Sequence, residues 1–162
     1  MLSKDDVYAL LEQKKIPYEK YVHPAVYTIE EMEKAGVSEK GLVVKNLFLR
    51  DAKGKRHFLV TLHKDKKADL KELQTQLGCT KLSFASEERL EKYLGLKKGA
   101  VTPLGILNDE EQAVEVVFDE DLTGEPKLGV HPNDNTATVF LSFENLKALI
   151  QEHGNDITFV RI

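Results

Sequence analysis

The sequence predicts a mixed α+β fold, flanking helices around one sheet, on three observations. Capped amphipathic helical segments alternate with β-prone segments along the chain. An eight-residue β-prone run at 42–49, apolar but for Lys45 and Asn46, followed by a hairpin turn and a second alternating run, supplies the centre of a sheet. No internal repeat, linker or low-complexity tract divides the 162 residues, so residues 1–162 read as a single domain with room for a core.

The elements follow in order. Ser3-Lys4-Asp5-Asp6 resembles a capping box with Asp for Glu, and Val7, Leu10 and Leu11 give the helix behind it an apolar stripe. Lys14 and Lys15 suit its last turn and Pro17 stops it. Residues 18–23 read as a short strand ended by Pro24. Thr28 caps a helix over 29–35 that Gly36 closes.

In the run Leu42–Leu49, Leu42, Val44, Asn46 and Phe48 face one way and Val43, Lys45, Leu47 and Leu49 the other, so both faces are largely apolar and the strand is central. Residues 51–55 form the hairpin turn and 56–63 return, with Phe58, Val60 and Leu62 alternating. Asp69 caps a helix carrying Leu70, Leu73 and Leu77 that ends at Gly78. Ser86 caps another, with Leu90, Tyr93 and Leu94, ended by Gly95. Strands follow at 114–118, 127–130 and 136–141. Ser142 caps a helix to about 152, and 157–160 is the last strand. Asp119-Glu120-Asp121 reads as a solvated acidic turn.

Two loops stand out. Gly99-Ala100-Val101-Thr102-Pro103-Leu104-Gly105 is small and glycine-flanked, so a ligand could approach its backbone N–H groups, although an ordinary connector has the same composition. Gly129-Val130-His131-Pro132-Asn133-Asp134-Asn135-Thr136 packs glycine, proline and three Asn/Asp residues around one histidine. Such residues build a rigid turn that aims His131, or a plain strand connection with an incidental histidine. Lys45 sits among aliphatic neighbours. An ammonium there needs an anion, a carboxylate partner or a route to water. His63 could face the same cavity or be structural.

Composition limits the partners. A net charge of −4 gives no global attraction for nucleic acid, so only local groups could bind phosphate: Arg50, Lys53, Lys55 and Arg56; Lys64, Lys66 and Lys67; Lys97 and Lys98. No apolar run reaches the roughly 20 residues that span a bilayer. The N-terminus has no apolar signal core and the single Cys79 fits a reducing compartment, so a cytoplasmic protein without membrane contact is expected. The five histidines and one cysteine show no metal-ligand spacing, and no nucleophile elbow or phosphate-binding loop motif occurs. No metal or cofactor is expected.

Three motifs occur in register: Lys45-Asn46-Leu47-Phe48-Leu49, Gly99-x-x-x-Pro103-x-Gly105, and Gly129-x-His131-Pro132 running into Asn133-Asp134-Asn135-Thr136. Together they resemble the bacterial prolyl-tRNA editing family, the YbaK/ProX group, which includes the insertion domain of bacterial prolyl-tRNA synthetases and its free-standing relatives. The resemblance spans nearly the whole chain. It implies a strongly curved, barrel-like sheet and hydrolysis of mischarged tRNA(Pro). The Gly-x-His-Pro-Asn-Asp-Asn-Thr run is most similar to the free-standing branch acting on alanyl-tRNA(Pro), with cysteinyl-tRNA(Pro) deacylases as the near alternative. By the same resemblance Lys45 would hold the terminal adenosine or its phosphate, and His131 would line the aminoacyl pocket. Gly99 to Gly105, with Gly129, would serve the catalytic centre with close backbone approach and backbone donors. Asn46, Thr102, Pro103, Gly105 and Pro132 would contact substrate, Asn46 equally well serving the backbone. Water would be the nucleophile, assisted by the substrate's ribose hydroxyl. The implied partners are alanine-charged tRNA(Pro) and prolyl-tRNA synthetase. A module that binds tRNA or the synthetase without hydrolysis is the rival reading, and a metalloprotein using His23, His63 and His131 a remote third.

Overall fold

A computed structural model describes residues 1–162. Helix α1, Lys4–Gln13, starts where expected: the Ser3 hydroxyl accepts from the Asp6 amide while the Asp6 carboxylate accepts from the Ser3 amide. Strand β1, Glu19–Val22, precedes helix α2, Ile29–Lys34, whose cap is Thr28. Then come β2 (Leu42–Arg50), β3 (His57–His63), α3 (Leu70–Leu77), β4 (Ser83–Phe84), α4 (Glu87–Leu94) and β5 (Val114–Asp119). A 3₁₀ turn, Pro103–Asn108, follows α4. The chain ends with β6 (Leu128–Val130), β7 (Ala137–Leu141), α5 (Phe143–His153) and β8 (Ile157–Val160).

The strands form one mixed sheet in the order β1-β7-β6-β2-β3-β5-β8, with β4 added beside β2. β2 runs parallel to β6, and β3, β5 and β8 are mutually parallel. The expected barrel-like sheet is not found. The strand path leaves β1 and β8 as edges, whereas a barrel pairs every strand on both sides. Both edges are four-residue strands, and β6 touches β2 only at Leu42 and Val43, too little pairing to draw the ends together.

Apolar burial holds the layers. Leu59, Val116 and Phe118 on one face of β3 and β5 pack with Val7 and Leu11 of α1, Leu90 and Leu94 of α4, and Phe143, Leu146 and Ile150 of α5. Phe58, Val60, Leu62 and Val117 on the other face meet Leu73 of α3. A third cluster, Val26, Met32, Val37, Val43 and Phe140, lies under α2. Each such side chain fully buried is worth about 1.5–3 kcal/mol.

One expectation is corrected. Asp119 is not part of a solvated acidic turn: it is buried, caps the turn by accepting from the Asp121 amide, and takes a hydrogen bond from Lys66 Nζ at 2.7 Å. The returning chain supplies the reason. Lys66 reaches across to Asp119, Asp121 and the carbonyl of Ile162, a pairing between sequence-distant segments.

Candidate active site

The site sits where the sheet forks. Along one edge β2 pairs β3 from Val44 to Arg50. Along the other it meets β6 only at Leu42 and Val43 and β4 only at Leu49 and Arg50. Lys45 and Asn46 occupy the unpaired interval, and a cavity of about 230 Å³ opens there. Its floor is apolar: Val26, Ile29, Met32, Val43 and Val130. Its polar wall carries Lys45, Asn46, Gly99, Gly129 and His131, so five of the residues singled out from sequence share one hollow.

Lys45 is half-buried and has no carboxylate in salt-bridge range. Lysines after β3 do: Lys64 pairs with Glu33 and Asp65, and Lys66 with Asp119 and Asp121. The Lys45 ammonium is therefore the cation this cavity offers to an anion.

His131 is held in one tautomer. Its Nδ1 lies 2.9 Å from the carbonyl oxygen of Ala137, which can only accept, so Nδ1 carries the proton. Nε2 has no partner in the protein and presents a lone pair. Burial pushes the His131 pKa below its ordinary value, against a smaller raising effect of the Ala137 bond, so the ring is neutral near pH 7.

The loop behind His131 is pinned at several points. The Asp134 carboxylate accepts from the amide and hydroxyl of Thr136, which also holds that carboxyl below its usual pKa. Lys4 donates to the Thr136 hydroxyl, Asn133 to the carbonyl of Leu2, and Asn135 to that of Val26. Asn133 adopts φ +63°, a left-handed conformation that asparagine tolerates.

The other sequence-selected residues do different work. Asn46 lines the cavity, but its amide is committed: Oδ1 accepts from Thr61 and Nδ2 donates to the carbonyl of Val101. Thr102, Pro103, Gly105 and Pro132 do not line the cavity. Thr102 is buried and donates to the carbonyl of His131, Pro103 opens the 3₁₀ turn, and a Cβ on Gly105 would lie 2.5 Å from Leu96. Gly129 lies in β6, paired on both sides, and its missing Cβ leaves room for the Phe140 ring. His63 also stays outside; its Nδ1 accepts from the Asp65 amide. No group of three or more His, Cys, Asp or Glu side chains gathers as a metal site would require.

Sequence reasoning missed the apolar floor and Tyr27 on the rim, and covered Val101 only as part of the glycine-flanked loop. Val101 matters because the amides of Gly99 and Val101 have no acceptor within the protein. Two residues with free N–H groups on one short loop line a cavity that also holds a cation and a neutral base, a set that suits an oxygen acquiring negative charge. The lining has no serine, cysteine or carboxylate. Its threonine hydroxyls are engaged, Thr28 capping α2 and Thr138 bonding His23.

Comparisons with known proteins point the same way. The family model described as the aminoacyl-tRNA editing domain matches residues 23–149. The prolyl-tRNA editing protein ProX of Acetoanaerobium sticklandii is 54% identical over 162 residues, covering 100% of this chain and 99% of that protein. A prolyl-tRNA synthetase associated domain-containing protein of Danio rerio is 39% identical over 132 residues, 80% of this chain and 71% of the other. A crystal structure of a candidate trans-editing enzyme for prolyl-tRNA synthetase superposes with a TM-score of 0.74 at 25% identity, over 100% of this chain and 99% of that one.

Proposed function

The chain belongs to the aminoacyl-tRNA editing domain family, and from that membership we propose that it is a trans-editing hydrolase releasing alanine from tRNA(Pro) mischarged by prolyl-tRNA synthetase. The observation that carries the reading is the shared cavity of Lys45 and His131.

A synthetase pocket shaped for proline cannot strongly exclude a smaller amino acid, since one methylene is worth only about 1–3 kcal/mol. A second, smaller pocket can admit what the first let through. Here the substrate's 3′ end enters at the fork of the sheet. Lys45 Nζ meets the phosphate of the terminal nucleotide, and the alanine methyl rests on Val26, Met32 and Val43. The neutral Nε2 of His131 accepts from the substrate's α-ammonium group.

Water adds to the ester carbonyl carbon, and the charge on the carbonyl oxygen is taken up by the amides of Gly99 and Val101. The bond from that carbon to the ribose oxygen then breaks. The ribose oxygen leaves with a proton, and alanine leaves as the free acid. The attacking water passes a proton to the substrate's neighbouring ribose hydroxyl as that hydroxyl gives its own proton to the departing ribose oxygen, a relay that fits a wall without serine, cysteine or carboxylate.

The test is a deacylation panel with alanyl-, cysteinyl-, seryl- and prolyl-tRNA(Pro). Release of alanine with prolyl-tRNA(Pro) spared supports the reading. Faster release of cysteine reassigns the substrate, and no release beyond spontaneous ester loss makes the chain a binding module.

A further inference from the structure

We propose that Arg50, Arg89 and Lys92 form a second tRNA contact, gripping a backbone phosphate of the acceptor arm beyond the terminal adenosine. The inference rests on the function proposed above but on different residues.

The chain has four arginines. Arg56 forms a bidentate pair with Glu115, and Arg161 binds Glu120. The other two, Arg50 and Arg89, have no carboxylate partner, and they lie side by side. Their Nη2 atoms sit 3.0 and 2.9 Å from the point where a Cβ on Gly54 would be. Arg50 donates to the carbonyls of Asp51 and Ala52, and Arg89 to the carbonyl of Gly54 and to Nε2 of His57. Every acceptor is neutral. Nearby Asp51 is buried and forms no salt bridge with either arginine; its Oδ1 accepts the amides of Lys55 and Arg56.

Two adjacent guanidinium groups repel unless an anion lies between them, and their fork geometry suits phosphate oxygens. Lys92 follows Arg89 by one turn of α4, and both line a hollow with Ser86 and Glu88. His57, buried beneath, is kept neutral chiefly by its burial and further by the charges of Arg89 and Arg50, so it supports Arg89 as an acceptor.

Position links this patch to the active site. Asn46, Phe48 and Arg50 share one face of β2, which puts Arg50 roughly 13 Å along the strand from Asn46. From the end of α4 the chain runs through Lys97 to Gly99 on the cavity rim. A strand whose last nucleotide lies in the cavity could continue along that route. In a chain of net charge −4, such a local track is what nucleic acid would find.

The experiment compares full-length alanyl-tRNA(Pro) with the alanyl ester of a CCA trinucleotide, which has the terminal adenosine but no acceptor stem. In Arg50→Gln/Arg89→Gln, KM for the full tRNA should rise roughly tenfold. The slope of log KM against log salt should fall by about 1 for each lost phosphate contact, while kcat/KM for the trinucleotide ester stays unchanged. Lys92→Gln, at an exposed position, should weaken the salt slope without disturbing packing. An unchanged KM and slope on full tRNA, or equal losses on both substrates, would overturn the proposal. Should the wild type cleave neither substrate, the hydrolase reading fails by itself. Fluorescence anisotropy of tRNA binding, wild type against the double variant, then decides the patch.

Discussion

The Thr102 hydroxyl donates a 2.6 Å hydrogen bond to the carbonyl oxygen of His131. The bond ties the glycine-flanked loop to the histidine loop, so the free amides of Gly99 and Val101 and the imidazole of His131 keep a fixed relation across the cavity. Thr102→Val preserves the shape and removes this donor together with the hydroxyl oxygen that accepts from the Leu104 amide. Leaving that carbonyl unpaired should cost about 1–3 kcal/mol in unfolding free energy. Alanine release should slow as well, because the two walls lose their register. Denaturant unfolding and single-turnover deacylation check the two parts, and an unchanged midpoint would show that the bond contributes nothing.

Gly129 carries a packing constraint as well as a place in the cavity wall. A Cβ there would lie 2.6 Å from the Phe140 ring, and one on Gly41 would lie 2.6 Å from the same ring. Gly129→Ala should destabilise the protein by about 1–3 kcal/mol through overpacking. Combining it with Phe140→Leu should recover part of that loss. Thermal unfolding of the single and double variants reads the coupling.

The helices were legible because their signals are local. Ser3 with Asp6, Asp69 with Gly78, Ser86 with Gly95 and Ser142 all cap where the sequence places them. The hairpin of β2 and β3 was legible for the same reason. What stayed hidden depends on contacts between distant segments. The two-residue pairing of β6 with β2 opens the fork, and no local pattern announces it. The Lys66–Asp119 pair joins residues far apart in sequence, so Asp119 looked like surface. Within the site, Lys45 and His131 stood out by chemistry. Met32 and Val26 looked like ordinary apolar residues, and residue type does not reveal that the amides of Gly99 and Val101 are left without an acceptor. Thr102, Pro103 and Gly105 were conspicuous for turn chemistry, and turn chemistry is what they perform.

Lys66 is a test of that hidden pairing. Its ammonium is partly exposed, but the Asp119 side chain keeps only 1% of its surface. Lys66→Ala strands a buried carboxylate and should cost about 2–4 kcal/mol, somewhat less than for a fully buried pair. Lys66→Ala/Asp119→Asn should be less damaging than the single Lys66 change. Urea unfolding of the set distinguishes this from loss of a mere surface pair.

Burial lowers the His131 pKa from its ordinary 6.5. Below about pH 6.5 the unfolded chain takes up a proton there while the folded chain still resists it, so acidification favours unfolding. The loss levels off once the folded imidazole is itself protonated. His57 behaves in the same direction, so the contribution of His131 is the difference between wild type and His131→Asn. Wild-type stability should fall more steeply from pH 7 towards pH 5 than that of the variant. Parallel curves would refute a buried neutral imidazole. If His131 accepts from the substrate as proposed, alanine release should show an acid limb below the ordinary imidazole pKa, since an imidazolium cannot accept from an ammonium group.

The most direct test of the shared cavity is the single-turnover rate of alanine release from alanyl-tRNA(Pro) by Lys45→Ala. Removing the cation proposed to meet the substrate's phosphate should slow release about 100-fold while leaving the unfolding midpoint near that of the wild type. Release at the wild-type rate would contradict the account and take Lys45, and with it the cavity, out of the chemistry.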